Sequence, residues 1–336
     1  MRYIESCSLE EVDGLAVGVV RFTETMEVLS CAVLNGGLSE ADAYFIMQVP
    51  HDYDHDDPRA HAAEVRDALG LPGNTVGMMT AAEVGYVFNV QEAERNGMFV
   101  TAAATAGLSN HVMAGDVLED WESRHVTSLK RAARMMAGTI NVALVVESPL
   151  TMEGKVNLFM PVIEGKSAAL ADRGFKETGT TSDSVAIISP KGDGPLTYTG
   201  TGSDLGIAGG RAVRAAVGHA LCVRGEFPEP EDPMKLLSKL GYDEEVLWTM
   251  SGTGMTREEY SESLREYLSY PRTRTVLDMF HYVSDRADSL YADGDECIIQ
   301  LFEDLSVSEF GFVPDFEKGI MDGLIMSMAT EAGRRF

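Results

Sequence analysis

The sequence predicts an α+β protein: a main domain with a mixed sheet in a layered α/β arrangement, and an added C-terminal α-helical domain. Three observations carry this. Short apolar segments alternate with glycine-containing turns up to about residue 225. Several neighbouring strand segments have no helix between them, so antiparallel pairing must contribute and a doubly wound sheet is disfavoured. Beyond residue 225 the glycines thin out and charged, helix-periodic patterns take over. The stretch Gly225-Glu-Phe-Pro-Glu-Pro-Glu-Asp-Pro233 reads as a linker, since its prolines disfavour helix and its carboxylates repel one another. The domains are therefore 1–225 and 226–336.

Strands are expected at 15–22, 26–34, 43–49, 74–79, 85–91, 97–104, 139–147, 183–189 and 195–199. The clearest are Ile140-Asn-Val-Ala-Leu-Val-Val146 and Ser184-Val-Ala-Ile-Ile188, β-branched runs bounded by polar residues. Helices fit 58–69, 117–136, 152–172 and 204–222. In the third, Val156, Phe159, Ile163, Ser167 and Leu170 recur at helical spacing and form the expected packing stripe. Asn157 and Glu164 share another face, Glu164 and Lys166 are too close to pair along the helix, and Pro161 is expected to kink the segment or start a second helix. The tail reads as five or six helices, with Thr256-Arg-Glu-Glu259 a capping box. Its apolar positions Leu264, Leu268, Val276, Met279 and Val283 suit a small bundle.

Among 336 residues, 53 are acidic and 27 basic, a formal charge of −26 that repels phosphate backbones and anionic lipid. Nucleic acid and membrane surfaces are excluded as partners on that ground. The start, MRYIESCSLEE, has no apolar stretch behind a basic residue, and no uncharged run has the roughly 18 residues of a membrane helix. Cys7, Cys31, Cys222 and Cys297 are far apart, which fits reduced thiols in a cytoplasmic protein.

Four segments draw attention as chemistry. Tyr198-Thr-Gly-Thr-Gly-Ser-Asp-Leu-Gly206 has the spacing GxGxxxG, which is not a nucleotide loop, although the following helix offers its first N–H groups to an anion. Gly209 and Gly210 inside that helix point to close packing on a sheet. His51-Asp-Tyr-Asp-His-Asp-Asp57 gathers metal-ligand types, but Pro50 and Pro58 bracket it and favour a solvated acidic loop. Thr178-Gly-Thr-Thr-Ser-Asp183 enters a buried strand, where hydroxyls beside a carboxylate either orient a water or satisfy their own turn. Ala106-Gly-Leu-Ser-Asn110 carries the same two readings for Asn110.

Seven segments in order resemble the adenosylcobinamide amidohydrolase family. They are Ser30-Cys-Ala-Val-Leu-Asn-Gly-Gly37, Val76-Gly-Met-Met-Thr-Ala-Ala82, Thr105-Ala-Gly-Leu-Ser-Asn110 with Ala114-Gly-Asp116, and Gly138-Thr-Ile-Asn141. The others are Glu164-Gly-Lys-Ser-Ala-Ala-Leu170, Thr178-Gly-Thr-Thr-Ser-Asp183 and Gly200-Thr-Gly-Ser-Asp-Leu-Gly206. The family pattern reads Thr-Glu-Ala-Lys at Ile163-Glu-Gly-Lys166 and Thr-Asp at Ser182-Asp183; both departures keep the charged residue. The resemblance implies hydrolysis of the amide joining aminopropanol to a corrin ring, with adenosylcobyric acid as product. The cobalt arrives with the small-molecule corrinoid substrate, so the protein needs no metal or cofactor of its own. It further implies Glu164 or Asp183 as general base for water, with Lys166 as electrostatic or proton-donating partner. Asn110, Asn141, Thr180, Ser182, Gly179 and Asn35 are the expected substrate-binding positions. A homo-oligomer stays open. So do two competing functions: a corrinoid or tetrapyrrole carrier that does not cleave, and a hydrolase of a different amide.

Overall fold

The computed structural model describes residues 2–50, 53–116, 140–226, 228, 232–277, 279, 296–311 and 319–334. Its first three strands are a coiled meander. β1 (Ile4–Val12) and β2 (Leu15–Ser30) are joined by Asp13-Gly14, whose φ angles of 51° and 79° make the two-residue turn that suits strand twist. β2 replaces two expected strands, 15–22 and 26–34. Between Arg21 and Met26 its register against β3 (Gly37–Gln48) slips, and Thr25 donates to Asp42 there. The polar interruption is thus a bulge that bends one strand rather than a turn that ends it.

The rest of the sheet follows: β4 (Val76–Thr80), β5 (Asn89–Arg95), β6 (Met98–Ala106), β8 (Ile140–Val146) and β10 (Ser184–Ser189). The order is β4-β3-β2-β10-β8-β6-β5, with β1 on β2. β3–β4 and β8–β10 are parallel and the other pairs antiparallel, so the sheet is mixed as expected. β7 (His111–Val112) and β9 (Gly179–Thr180) form a separate short ladder. The expected strand at 85–91 divides into a helical turn, α2 (Val84–Val87), and β5. The segment 195–199 makes only one bridge, Leu150 to Leu196, because Thr199 is pinned on a neighbouring helix through Gly154 O and Asn157 Oδ1. The expected helix 117–136 lies outside the described residues.

Helices cover the sheet. α1 (Pro58–Ala68) sets Ala62 and Val65 on Val19, Phe45, Met47 and Met79. α3 (Met152–Ala171) and α4 (Asp204–Arg224) set Leu158, Val162, Ala208 and Val213 on Val142, Leu144, Val185 and Ile187. Each fully buried Val, Leu or Ile is worth roughly 1.5–3 kcal/mol. α3 is a single helix through Pro161, so the alternative of a second helix starting there does not hold; two buried flanks outweigh the lost hydrogen bond. Its expected packing stripe holds in part: Leu170 is fully buried and Phe159 packs against the core. Val156 and Ile163 are 55% and 46% exposed, and the buried face holds Leu158, Val162, Gly165, Lys166 and Ala169. Lysines and glycines on that face hide it from a hydrophobicity pattern. Lys155 is likewise buried and donates to Glu27 Oε2 at 2.8 Å and Leu150 O at 3.1 Å. A Cβ on Gly165 would come 2.8 Å from Gly210 O, so α3 and α4 touch backbone to backbone.

Strand alternation separates the two faces. On β8, Ile140, Val142 and Leu144 join the α3–α4 core, while Ala143 and Val145 join Val20, Val28, Tyr44, Ile46, Met78 and Ile188 inside the curl. The curl brings β4 back to β8, where Asn141 Nδ2 donates to Met79 O at 2.8 Å.

Residues 1–228 and 229–336 are two compact units. The second contains α5 (Pro233–Lys239), α6 (Glu244–Ser251), α7 (Arg257–Ser269), α8 (Glu296–Phe310) and α9 (Ile320–Ala332) among the described residues. Leu236, Leu247, Tyr260, Leu264, Phe302 and Leu324 form its core, and Tyr260 donates to Ala329 O at 3.1 Å. Met279, expected inside, is 53% exposed, and Val283 lies outside the described residues. The capping box at Thr256 and Glu259 is present. Replacing Thr256 by Ala is expected to cost about 1 kcal/mol, read as a lowered unfolding midpoint of this unit; an unchanged midpoint would contradict the cap's contribution. No helix among the described residues is long and apolar enough to cross a membrane.

Candidate active site

At one end of the sheet, Lys166 reaches from α3 to the carboxylate of Asp183, just before β10. The side chains are 9% and 15% exposed, so the pair is largely removed from water. Lys166 binds Asp183 Oδ2. Thr180 donates its hydroxyl to Oδ1, and its main-chain N–H lies 3.1 and 3.2 Å from the two oxygens. The turn Thr180–Asp183 is therefore wrapped around its own carboxylate. Gly179 is what lets it close: a Cβ there would run into Asp183 Oδ2 and Lys166 Nζ.

A second segment braces this turn. β7 pairs with β9, with His111 opposite Thr180 and Val112 opposite Gly179. Asn110 Nδ2 donates to Thr181 Oγ1 at 2.6 Å and lies 3.4 Å from Ser182 Oγ. Ser167, next to Lys166 on α3, donates to Thr178 O at 2.8 Å, and Ala114 N donates to Thr178 Oγ1 at 2.9 Å. Beyond the turn, Val185 N donates to Cys31 Sγ at 3.1 Å, and Ser184 Oγ lies 3.3 Å from the same sulfur.

The residues expected to bind or act thus divide. Lys166, Asp183, Thr180, Gly179, Ser182 and Asn110 come together. Asn141 is fully buried in register with Ser184 on one side and Thr105 on the other, and its side chain turns into the curl. Its Oδ1 and the Thr105 hydroxyl have no hydrogen-bond partner among the described residues. Glu164 points away from the pair: it is exposed and accepts from Thr201 on the face it shares with Asn157. Asn35 sits in a turn at φ 52° and donates to Gly73 O and Thr75 O at 3.1 and 2.8 Å. Thr181, Ser184, Ser167 and Cys31 join the cluster without having been singled out, although all but Ser184 lie in a segment that resembles the family.

Two other candidates resolve. At the start of α4 the Ser203 hydroxyl takes Gly206 N, and Asp204 in the first turn pairs with Arg95, so no anion is favoured there. Of the acidic loop, 53–57 is described. Asp57 caps α1, and Tyr53, His55 and His61 stack, with ring centroids 5.0 Å apart for the two histidines. Burial holds the His61 imidazole below its ordinary value. No group of three or more potential metal ligands occurs among the described residues.

A buried lysine–carboxylate pair, ringed by hydroxyls at a loop-to-strand junction, is equipment for hydrolysis at a carbonyl. The comparisons give that class a family. A model of the adenosylcobinamide amidohydrolase family matches residues 4–228. An adenosylcobinamide amidohydrolase of Methanosarcina mazei is 25% identical over 202 residues, covering 57% of this chain and 89% of that protein. One from Halobacterium salinarum is 30% identical over 189 residues, covering 56% and 77%. The chain belongs to the adenosylcobinamide amidohydrolase family and is an amidohydrolase.

Contacts link all seven family-like segments. Leu34 exchanges main-chain hydrogen bonds with Gly77, Met79 meets Asn141, and Thr105 pairs with Asn141. Asn110 meets Thr181, Lys166 meets Asp183, and Thr201 meets Glu164.

Proposed function

We propose that this enzyme hydrolyses the amide joining aminopropanol to the corrin ring of adenosylcobinamide, releasing adenosylcobyric acid. The observation that carries the reading is the Lys166–Asp183 pair, held in a turn that the family-like segments surround. Asp183 takes a proton as water adds to the amide carbonyl. Lys166 gives one to the departing nitrogen as the carbon–nitrogen bond breaks, and the proton on Asp183 then returns to Lys166. The pair so ends each turnover as it began. Glu164 is assigned a supporting role, holding the Thr201 loop. The corrinoid is the small-molecule partner and brings its cobalt as part of the substrate. The same reading places the enzyme in the cytoplasm, in line with the dispersed cysteines.

The test is to incubate the purified full chain with adenosylcobinamide and follow aminopropanol and corrinoid masses. Stoichiometric release of both products is expected. A shifted visible spectrum with an unchanged corrinoid mass would establish a carrier instead. Cleavage of an unrelated amide alone would move the substrate elsewhere. Glu164→Gln is expected to keep kcat within about threefold, as a surface change does. A hundredfold loss would return Glu164 to the chemistry.

A further inference from the structure

Thr181 has no part in the proton transfers, yet both its main-chain N–H and its hydroxyl are held by Asn110. Its main-chain N–H donates to Asn110 O at 3.2 Å, and its Oγ1 accepts from Asn110 Nδ2 at 2.6 Å. Among the described residues Thr181 Oγ1 makes no other hydrogen bond. A hydroxyl oxygen that accepts an N–H must turn its own proton elsewhere. Asn110 therefore leaves Thr181 as a donor whose proton points away from the asparagine amide. The preceding residue, Thr180, spends both its hydroxyl and its N–H on Asp183. Thr181 is half-buried, so its proton lies at the rim of the turn rather than inside it.

We infer that Thr181 is a catalytic residue that donates its hydroxyl hydrogen bond to the carbonyl oxygen of the scissile amide, and that Asn110 is the positioning residue that aims it. The inference rests on the amide-hydrolysis reading above. Negative charge grows on that oxygen as water adds, and a donor aimed in advance stabilises it without reorganisation. The covalent step is unchanged: Asp183 and Lys166 move the protons, and Thr181 keeps its own. The second Asn110 N–H, toward Ser182 Oγ at 3.4 Å, has the same sense. Asn110 thus acts through the turn and not by touching the substrate.

Thr181→Val keeps the shape and removes the donor. It is expected to lower kcat for adenosylcobinamide by about 100- to 1000-fold, as loss of one such donor does elsewhere, with KM moving less than about threefold. Thr181→Ser restores the hydroxyl and brings kcat back to within about fivefold. Asn110→Asp presents an acceptor to the hydroxyl and reverses its direction. It is expected to be worse than Asn110→Ala, although Asp is the better isostere, an order that a purely structural role would invert. In the Thr181→Val background Asn110→Asp should add less than about threefold, since the proton it redirects is gone. A Thr181→Val enzyme within about threefold of the parent, or fully multiplicative losses in the double variant, overturns the inference while leaving the reaction intact. Absence of turnover by the unaltered enzyme overturns the reaction and the inference together. If Thr181→Val does not fold, the Asn110→Asp and Asn110→Ala order decides.

Discussion

Asp183→Asn is expected to lower kcat for amide cleavage by about a thousandfold, because in the proposed mechanism the substituted amide cannot take the proton of the attacking water. Lys166 and the Thr180 hydroxyl sit on different oxygens of Asp183, so the one oxygen of Asn keeps only one of them, and the Lys166 ammonium loses its counter-ion. Lys166→Met breaks the same pair from the other side. It leaves Asp183 charged at 15% exposure without its counter-ion, and breaking such a pair from one side costs about 3–5 kcal/mol. Both activity and the unfolding midpoint therefore fall. Combining the two changes should recover much of the midpoint, since neither charge is then buried alone, and none of the activity. Stability thus follows pairing while turnover follows the acid and base. Turnover by Asp183→Asn within tenfold of the parent would remove Asp183 from the reaction. A double variant no more stable than Lys166→Met would mean that the pair is not what holds the turn.

Gly179→Ala is expected to be nearly as damaging, with no charged group removed. The new methyl would occupy the space of Asp183 Oδ2 and Lys166 Nζ, both held by their own elements. The ion pair must part or the β7–β9 ladder must shift, at a cost of about 2–4 kcal/mol, with kcat down by a hundredfold or more. Gly202 supplies the contrast. Nothing lies within 4 Å of a Cβ there, and its backbone is not in the left-handed region, so Gly202→Ala should stay within about 0.5 kcal/mol. Unfolding midpoints and kcat of the two alanine variants measured side by side check the argument. Equal effects at both positions would refute it.

These predictions show what kind of information the chain displays openly. The β-branched runs of β8 and β10 were legible because buried strands need those side chains. β1 was not, since its exposed face carries Glu5 and Glu11 and its half-buried face Glu10, so the run looks like a solvated terminus. Asp13-Gly14 just after it was the readable signal, as was Asn96-Gly97 between β5 and β6. On α3, periodicity pointed to Val156 and Ile163 because Lys155 and Lys166 counted as polar, whereas their partners on the sheet make them interior residues. The site divides in the same way. Residue types and local order nominated Lys166 and Asp183, but the 17-residue separation between them gives no hint that they touch. Glu164 was nominated by the same segment, and two positions along a helix are enough to send it to a different surface. Asn110 stood between an oxyanion donor and a turn residue, and its amide is occupied by the turn.

The two buried lysines of α3 have one more consequence. Lys155 and Lys166 lie three turns apart and are bolted to opposite ends of the sheet, one to Glu27 and the other to Asp183. Rotating the helix by a single residue swings both ammonium groups by about 100° and strands two charges in apolar surroundings. The helix therefore has one seating and no neighbouring one. Lifting either end alone leaves a carboxylate without its lysine, so fraying from a terminus is opposed and release becomes concerted. Amide hydrogens along the middle of α3 should then exchange with solvent at one common rate, set by whole-domain opening and not by position in the helix.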